Sequence, residues 1–530
     1  MIGACMAVIG LDLGNYYTFP SFVEGMDPET RKGGTPRDLL RPDRGNQGIP
    51  SAYSPRSSDD APALGYDTEG RPTSETLLLL KSRIGERWSI TLRGNQEVGG
   101  SCDKALTQVA QYCIRVANTV MQRDFQTTSN EVALAHPVTF DPLRVRRLIE
   151  IVEAATLEDG KQVKVVGTIE EPAAAALDYL ATEVDWKERE ATVLVYDLGA
   201  GTFDTTLLVA YPNGRTDDYG HKKYYETLDS DGVADVGGAK FTDRIVDMIG
   251  EQIGGLPRRG AARDEIEHVA ESTKRRLTDT DDDTPYIENR ATGEYYDIRI
   301  SREDFEHKTK DLLDRTIACM KELLTRHPKA RPSRIVLTGG ASQMPMVRRA
   351  VEAAFGEGTS YDAKVVQYRP SKAISYGASR YYMPPTGVQH RPGDGGIIAR
   401  VPYDIGVRYY DSDVRDHVRT FVHAGVQLPT LAGQNHTSQY IRGETHEEGQ
   451  LSTVFRVYVA TRADPDPYAL DTDWKRIGTL TLEHGRPVPK GTRLFARIII
   501  DHLRTLHVEA YEDGHANEVY GETSVQYNFD

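Results

Sequence analysis

The sequence predicts an α/β domain built to close on a phosphate chain, followed by an all-β module. Three observations predict it. Two stretches run from an apolar strand through an aspartate into a glycine turn, Ala7-Val8-Ile9-Gly10-Leu11-Asp12-Leu13-Gly14-Asn15 and Val193-Leu194-Val195-Tyr196-Asp197-Leu198-Gly199-Ala200-Gly201-Thr202-Phe203-Asp204. Up to about Met383, strand-like runs alternate with helical ones. Past Pro384 to Gly396, a stretch rich in proline and glycine that reads as a linker, short runs of alternating apolar and polar residues take over.

Each element has its reason. In the two turns, glycine lets the main chain approach phosphate oxygens and aim N–H groups at them. Asp12 and Asp197, at strand ends, suit a hydrated Mg²⁺. A third turn follows the strand Arg334 to Thr338, where Gly339-Gly340-Ala341-Ser342 lead into a helix from Pro345 to Phe355. That helix has proline in its first turn and Gly356 behind its last. Two glycines before a helix can pass close to a nucleotide's sugar and α-phosphate. A fourth pair, Gly237-Gly238, precedes a helical stretch from Phe241 to Ile249, and Arg263 to Leu277 reads as another helix. One such turn is weak; together they predict a nucleotide clamp. No Gly-x4-Gly-Lys-Ser/Thr run is present, which excludes the P-loop class. In the β module, Val454 to Val459, Leu494 to Ile500 and Leu506 to Ala510 are strands, with turns at Pro487 to Gly491 and Asp513-Gly514.

Composition narrows the function. The chain has 530 residues, 39% of them hydrophobic, and a formal charge of −15, which argues against a nucleic-acid or anionic-membrane surface. The acidic run Asp279 to Asp283 reads as a solvated loop tip. Cys5, Cys102, Cys113 and Cys319 lack metal-ligand spacing, so free thiols in a reducing compartment are expected. No apolar run reaches membrane-spanning length, and the first residues lack a basic leader, so a cytoplasmic location is expected.

The motifs carry a resemblance. The chain resembles the DnaK-type 70-kDa heat-shock chaperones, members of the actin–hexokinase ATPase superfamily, at Ile9 to Gly14, Leu80-Lys81-Ser82-Arg83-Ile84-Gly85, Glu171-Pro172-Ala173-Ala174-Ala175-Ala176 and Asp197 to Asp204. The match continues at Glu271 to Thr278, Ser301 to Phe305, Thr338 to Pro345 and Ala373 to Ala378. In the β module it covers Gly425 to Thr430, Ile477 to Leu480 and Leu506 to Ala510. The resemblance implies an α/β actin-like (ribonuclease-H-like) two-lobed ATPase domain over residues 1–388, a linker over 389–400, and a β-sandwich substrate-binding domain over 401–530. It implies ATP or ADP with Mg²⁺ as ligands. Unfolded or extended peptide, or a dedicated client, would be the partner, with a J-domain co-chaperone and a nucleotide-exchange factor. No nucleic-acid or membrane partner is expected.

It also implies roles. Lys81 would reach the γ-phosphate as a compact cation. Glu171 and Asp197 would position Mg²⁺ and the attacking water, which is most of what phosphoryl transfer asks of a protein. Asp12 would hold the Mg²⁺ hydration shell, Thr202 would bond the γ-phosphate, and Asp204 would complete a second carboxylate cluster. The phosphate turns would supply Gly14, Asn15, Tyr16, Gly199, Ala200, Gly201, Gly237, Gly238, Gly339, Gly340 and Ala341. Glu271, Lys274, Arg275 and Thr278, at i, i+3, i+4 and i+7, share one helix face and would meet ribose and adenine.

The chain departs from the family pattern in places. Asn15 and Tyr16 stand where the family has two threonines, and Ala200 replaces a glycine, which would be strained if the position needs φ > 0. Gln343 replaces a second stacking arginine, and Ser371 a carboxylate. In the linker stretch Asp394 to Val401, only Ile397, Ile398 and Val401 stay apolar. The sequence ends on the β module with no helical lid behind it, so a lidless module with modest affinity and fast exchange is expected. The reading is an ATP-dependent chaperone-like protein with slow hydrolysis. The alternative is a nucleotide-sensing scaffold with weak or no hydrolysis; an actin-like filament former ranks third.

Overall fold

The computed structural model describes residues 8–26, 33–56, 61–92, 96–182, 190–218, 220, 222–257, 261–289, 292–382, 397–401, 403–411, 414–428, 441–461, 464–500, 506–512 and 521–524. Cys5, the Pro384 to Gly396 linker, Pro429-Thr430, Asp513-Gly514 and Asp530 lie outside the described residues.

Two sheets share one topology. In the first, the order is Lys164–Glu170, Glu131–His136, Ile9–Leu13, Tyr17–Met26, Gly33–Asp38. In the second it is Lys364–Gln367, Arg334–Thr338, Ala191–Leu198, Phe203–Thr216, Lys222–Val233, with Ile397–Ile398 at the edge. Each aspartate-bearing strand pairs parallel with one neighbour and antiparallel with the next (Ile9–Leu13 with Glu131–His136 and Tyr17–Met26; Ala191–Leu198 with Arg334–Thr338 and Phe203–Thr216). Both strands are buried along most of their length, as near-continuous apolar runs covered on two faces should be. Asp12 and Asp197 therefore emerge at equivalent ends of two matching sheets.

Helices Glu171–Thr182 and Ala373–Tyr382 cross between the sheets. Their small residues, Ala173 to Ala176 and Ala378, share one cluster with Val8 and Ala135 from the first sheet and with Val195 and Val336 from the second. The crossing is so close that a Cβ at Gly377 would lie 1.8 Å from the carbonyl oxygen of Ala174. Helix starts are fixed by side-chain caps. Ser101 accepts from Asp103 N, Asp141 from Arg144 N and Ser301 from Asp304 N, each stabilising by about 1 kcal/mol. The Arg263 to Leu277 helix extends to Ala261–Asp279 and the Phe241 to Ile249 helix to Gly238–Ile253.

The acidic run Asp279 to Asp283 is not a free loop tip. Asp282–Asp283 pair with Ile300–Ser301, and Asp281, Asp282 and Asp283 are each bound by an arginine, Arg302, Arg299 and Arg276. Arg276 comes from the helix that ends at Asp279, whereas Arg299 and Arg302 flank the paired strand Ile300–Ser301, which a local charge count cannot register.

Beyond Ile397 every described regular element is a strand. One sheet runs Val414–Val422, Ile405–Asp411, Gln450–Ala460, Trp474–Val488 and the other Ile441–Glu444, Arg493–Ile500, Leu506–Glu512, Gly521–Ser524. Val407, Phe421, Phe455 and Ile477 from the first meet Leu494, Ile500 and Leu506 from the second in one cluster, which Leu143 of the α/β part also joins. Ile397–Ile398 pairs parallel with Tyr225–Glu226.

Candidate functional site

A cavity of about 420 Å³ opens between the two sheets. Its walls include Asp12, Gly14, Asn15, Tyr16, Lys81, Glu171, Asp197, Gly199, Ala200, Gly201, Thr202, Gly238, Glu271, Lys274, Arg275, Thr278, Gly339, Gly340, Ala341 and Gln343. Of the residues expected from sequence, Asp204 and Gly237 stand behind the wall. Asp204 is the direct cross-strand partner of Asp197. Gly237 packs on Gly201, where a Cβ would lie 2.3 Å from the carbonyl carbon.

Lys81 sits on a short turn, Leu80–Arg83, launched by Leu79 at φ 57, a left-handed conformation that leucine rarely adopts. The Leu79 amide donates to the Asn15 carbonyl at 3.2 Å, which ties the turn to the first phosphate turn. Lys81 is only 3% exposed, so it is no solvated helix-end lysine. Its ammonium pairs with Glu171 and lies 6.0 Å from the Phe140 ring centroid.

The carboxylates are crowded and short of positive charge. Burial, then Glu171, pushes Asp12 up to about 7 against the pull of Lys81. Burial, then Glu171, does the same for Asp204, also to about 7, although Thr202 and backbone N–H groups favour its ionised form. Asp197 is driven well above the usual carboxylate range by burial and then by Glu171, Asp204 and Asp12. Its Oδ1 is buried without a hydrogen-bond partner. Gly339 makes room for that oxygen: its φ is 79°, and a Cβ there would stand 2.4 Å from it. These groups fit a divalent cation. Among the described residues no three carboxylate, histidine or cysteine groups are arranged to hold a metal ion directly.

Thr202 Oγ1 donates to Asp204 Oδ2 at 2.6 Å, and Asp204 Oδ1 accepts from Thr139 N at 3.3 Å. Ala200 is not among the non-glycine residues with positive φ, so the strain expected there is absent; the main chain passes without needing a left-handed turn. On the opposite wall, helix Ala261–Asp279 presents the expected face. Lys274 Nζ donates to Gly238 O at 2.9 Å, Thr242 Oγ1 at 2.8 Å and Glu271 Oε2 at 2.6 Å. Arg275 donates to Glu271 Oε1 at 2.9 Å and lies 5.6 Å from the Tyr17 centroid. Burial, then Glu271 and Asp243, raises the Tyr16 phenol.

Sequence reasoning missed Tyr17, Phe19, Pro137, Met344 and Pro370, which also line the cavity. It also missed Ser82, whose amide and hydroxyl both donate to Asn15 Oδ1 at 3.0 Å. Adjacency to Lys81 was the only available signal for Ser82. Ser371, noted as a departure, is part of the wall.

The chain is similar in sequence to known proteins. The family model described as Hsp70 protein matches residues 152–381. A protein named chaperone protein dnaK1 from Synechocystis is 26% identical over 399 residues, covering 70% of this chain and 53% of its own length. Chaperone protein DnaK from Thermosipho africanus is 24% identical over 509 residues, covering 90% of this chain and 76% of its own. A chaperone protein HscA homolog from Variovorax paradoxus is 26% identical over 356 residues, 66% of this chain and 51% of its own. The chain thus spans about half the length of two of these relatives.

Proposed function

We propose that the chain is a member of the Hsp70 family, an ATP-dependent chaperone-like protein in which slow Mg·ATP hydrolysis governs binding of an extended peptide or a dedicated client. The family's ATPase domain is actin-like, and its members use ATP or ADP with Mg²⁺. The observation that carries the reading is the single cavity in which two strand–aspartate–glycine turns, the Lys81–Glu171 pair and the Glu271-to-Thr278 helix face converge. Asp12, Glu171 and Asp197 would hold Mg²⁺ through its waters, and the ion would neutralise charge on the β- and γ-phosphates. Lys81 neutralises charge building on the γ-phosphoryl group, and Thr202 donates to it. The carboxylates orient a water toward phosphorus and take its proton as the β–γ bridging bond breaks. ADP and inorganic phosphate leave. Isothermal titration should show one Mg·ATP site, and single-turnover assays a slow release of phosphate. Absence of binding at millimolar ATP rejects the reading; binding without turnover favours the nucleotide-sensing scaffold.

We read residues 401–530 as a β-sandwich that takes the peptide or client, with a J-domain co-chaperone and an exchange factor acting on the cycle in the cytoplasm. Two sheets sharing a core support this, since a sandwich offers edges and loop grooves for an extended segment. No described helix is long and apolar enough to cross a membrane. The pairing of Ile397–Ile398 with Tyr225–Glu226 supports coupling between the two parts. Fluorescence anisotropy over a peptide library, with ADP and with ATP, tests both: no binding in either state rejects the client site, and binding blind to nucleotide rejects the coupling.

A further inference from the structure

Asn15 stands at the meeting point of three chain segments. It belongs to the first glycine turn, and its carbonyl accepts from Leu79 N, just before the Lys81 turn. Its side-chain oxygen accepts from both Ser82 N and Ser82 Oγ at 3.0 Å. A main-chain N–H can only donate, so the amide oxygen must face Ser82 and the amide nitrogen must face away. An independent observation locates that nitrogen. A Cβ placed on Gly201 would lie 2.6 Å from Asn15 Nδ2 and 2.9 Å from Ser82 Oγ. The nitrogen thus lies against the second glycine turn, one residue from Thr202, across the cleft from its own sheet.

We infer that Ser82 is a positioning residue: it holds the Asn15 amide so that Nδ2–H donates to the terminal phosphate of a nucleoside triphosphate, and the pair sets preference for triphosphate over diphosphate. This rests on the nucleotide reading above. The turns that flank the amide carry Lys81 and Thr202, the two residues given to the γ-phosphate. An amide nitrogen carries two donors and no acceptor, which suits an anion, and a donor fixed beforehand loses little entropy on binding. Without the Ser82 hydroxyl one of two anchors is lost and the amide is freer to rotate.

The test is isothermal titration of the full chain with Mg·ATP and Mg·ADP, circular dichroism confirming fold. Asn15→Ala should weaken Mg·ATP on the order of tenfold, the worth of a hydrogen bond to a charged group, and leave Mg·ADP unchanged. Ser82→Ala should weaken Mg·ATP about threefold with the same selectivity, and Ser82→Thr should restore it. In the Asn15→Ala background, Ser82→Ala should add nothing, because its effect runs through the amide. Gly201→Ala, which displaces the amide from the other side of the cleft, should weaken Mg·ATP by at least as much as Asn15→Ala even if Ser82 variants fold poorly, and unchanged Mg·ATP affinity there overturns the inference. Equal losses for both nucleotides, or additive losses in the double variant, overturn the inference while leaving nucleotide binding intact. If wild type binds neither nucleotide, the nucleotide reading itself fails.

Discussion

The cavity and the seam between the α/β part and the C-terminal sheets treat buried charge in opposite ways. In the cavity, Asp197 keeps an unpartnered oxygen, and Asp12, Asp197 and Asp204 are pushed up by burial and then by Glu171. In the seam, Glu226 is equally buried but fully matched. Its Oε1 accepts from Arg400 Nε at 3.0 Å, and its Oε2 from Tyr211 at 2.7 Å and Arg215 at 2.6 Å. Beside it, Gln427 accepts from Asp218 N at 3.0 Å and donates to Asp217 at 3.2 Å. On the proposed function, unmatched charge marks where a cation and phosphates would complete the structure; matched charge marks where the chain completes itself. The difference is a matter of what removing one group leaves behind.

The largest effect is expected at the seam. Glu226→Ala leaves Arg400 and Arg215 facing each other without their shared acceptor. Breaking a buried pair typically costs roughly 3–5 kcal/mol, and the partial exposure of both arginines puts this case near about 3 kcal/mol. Urea unfolding should register that loss, and hydrogen exchange should quicken at Tyr225 and Ile397, whose strands pair there. Retained protection at these amides would show that strand pairing, and not Glu226, holds the seam.

In the cavity, Lys81→Ala should cut single-turnover hydrolysis by about 100-fold, the usual effect of removing one group that stabilises transition-state charge, while Mg·ATP still binds. Thr202→Ala should act in the same direction and less strongly. Wild-type turnover in Lys81→Ala would remove the lysine from the chemistry.

Much of the cavity was legible because its turns are local. A strand, an aspartate and a glycine within a dozen residues announce themselves, and the Glu271, Lys274, Arg275, Thr278 spacing fixes a helix face regardless of tertiary context. The seam was legible only in the apolar character of Ile397, Ile398 and Val401. Glu226, Arg215, Gln427 and Leu143 have no local signature, since each is defined by a partner brought in by the fold. The strain considered at Ala200 came from the glycine in the family pattern, and the turn does not use a positive φ there.

A pH series sharpens the comparison further. Asp12, Asp197 and Asp204 hold protons more tightly folded than unfolded. The stability that Asp12 and Asp204 lend in this way is full below about pH 4 and lost as pH rises through about 7, and Asp197 acts in the same direction, so the ligand-free protein should weaken across that window. Mg·ATP must displace those protons. Its affinity should therefore rise from pH 6 to 8, by up to about tenfold per unit for each proton released. A flat affinity profile would mean that the carboxylates do not face the ligand.

The smallest effect belongs to the seam's outer edge, where Lys475 Nζ reaches Asp141 Oδ2 at 2.7 Å. Lys475 is 57% exposed on its side chain, so water and salt screen the pair and the long side chain loses freedom in making it. Lys475→Ala should cost no more than about 0.5 kcal/mol, and less at high salt. Asp141→Ala removes the same ion pair and also the cap of helix Pro142–Glu153, where Oδ1 accepts from Arg144 N at 2.9 Å. It should cost about 1 kcal/mol more than Lys475→Ala, independent of salt. The two variants separate a contact across the seam from one inside the α/β part. If Lys475→Ala alone loosened the C-terminal sheets as much as Glu226→Ala, the seam would be held at its rim, and the contrast between matched and unmatched buried charge would not explain it.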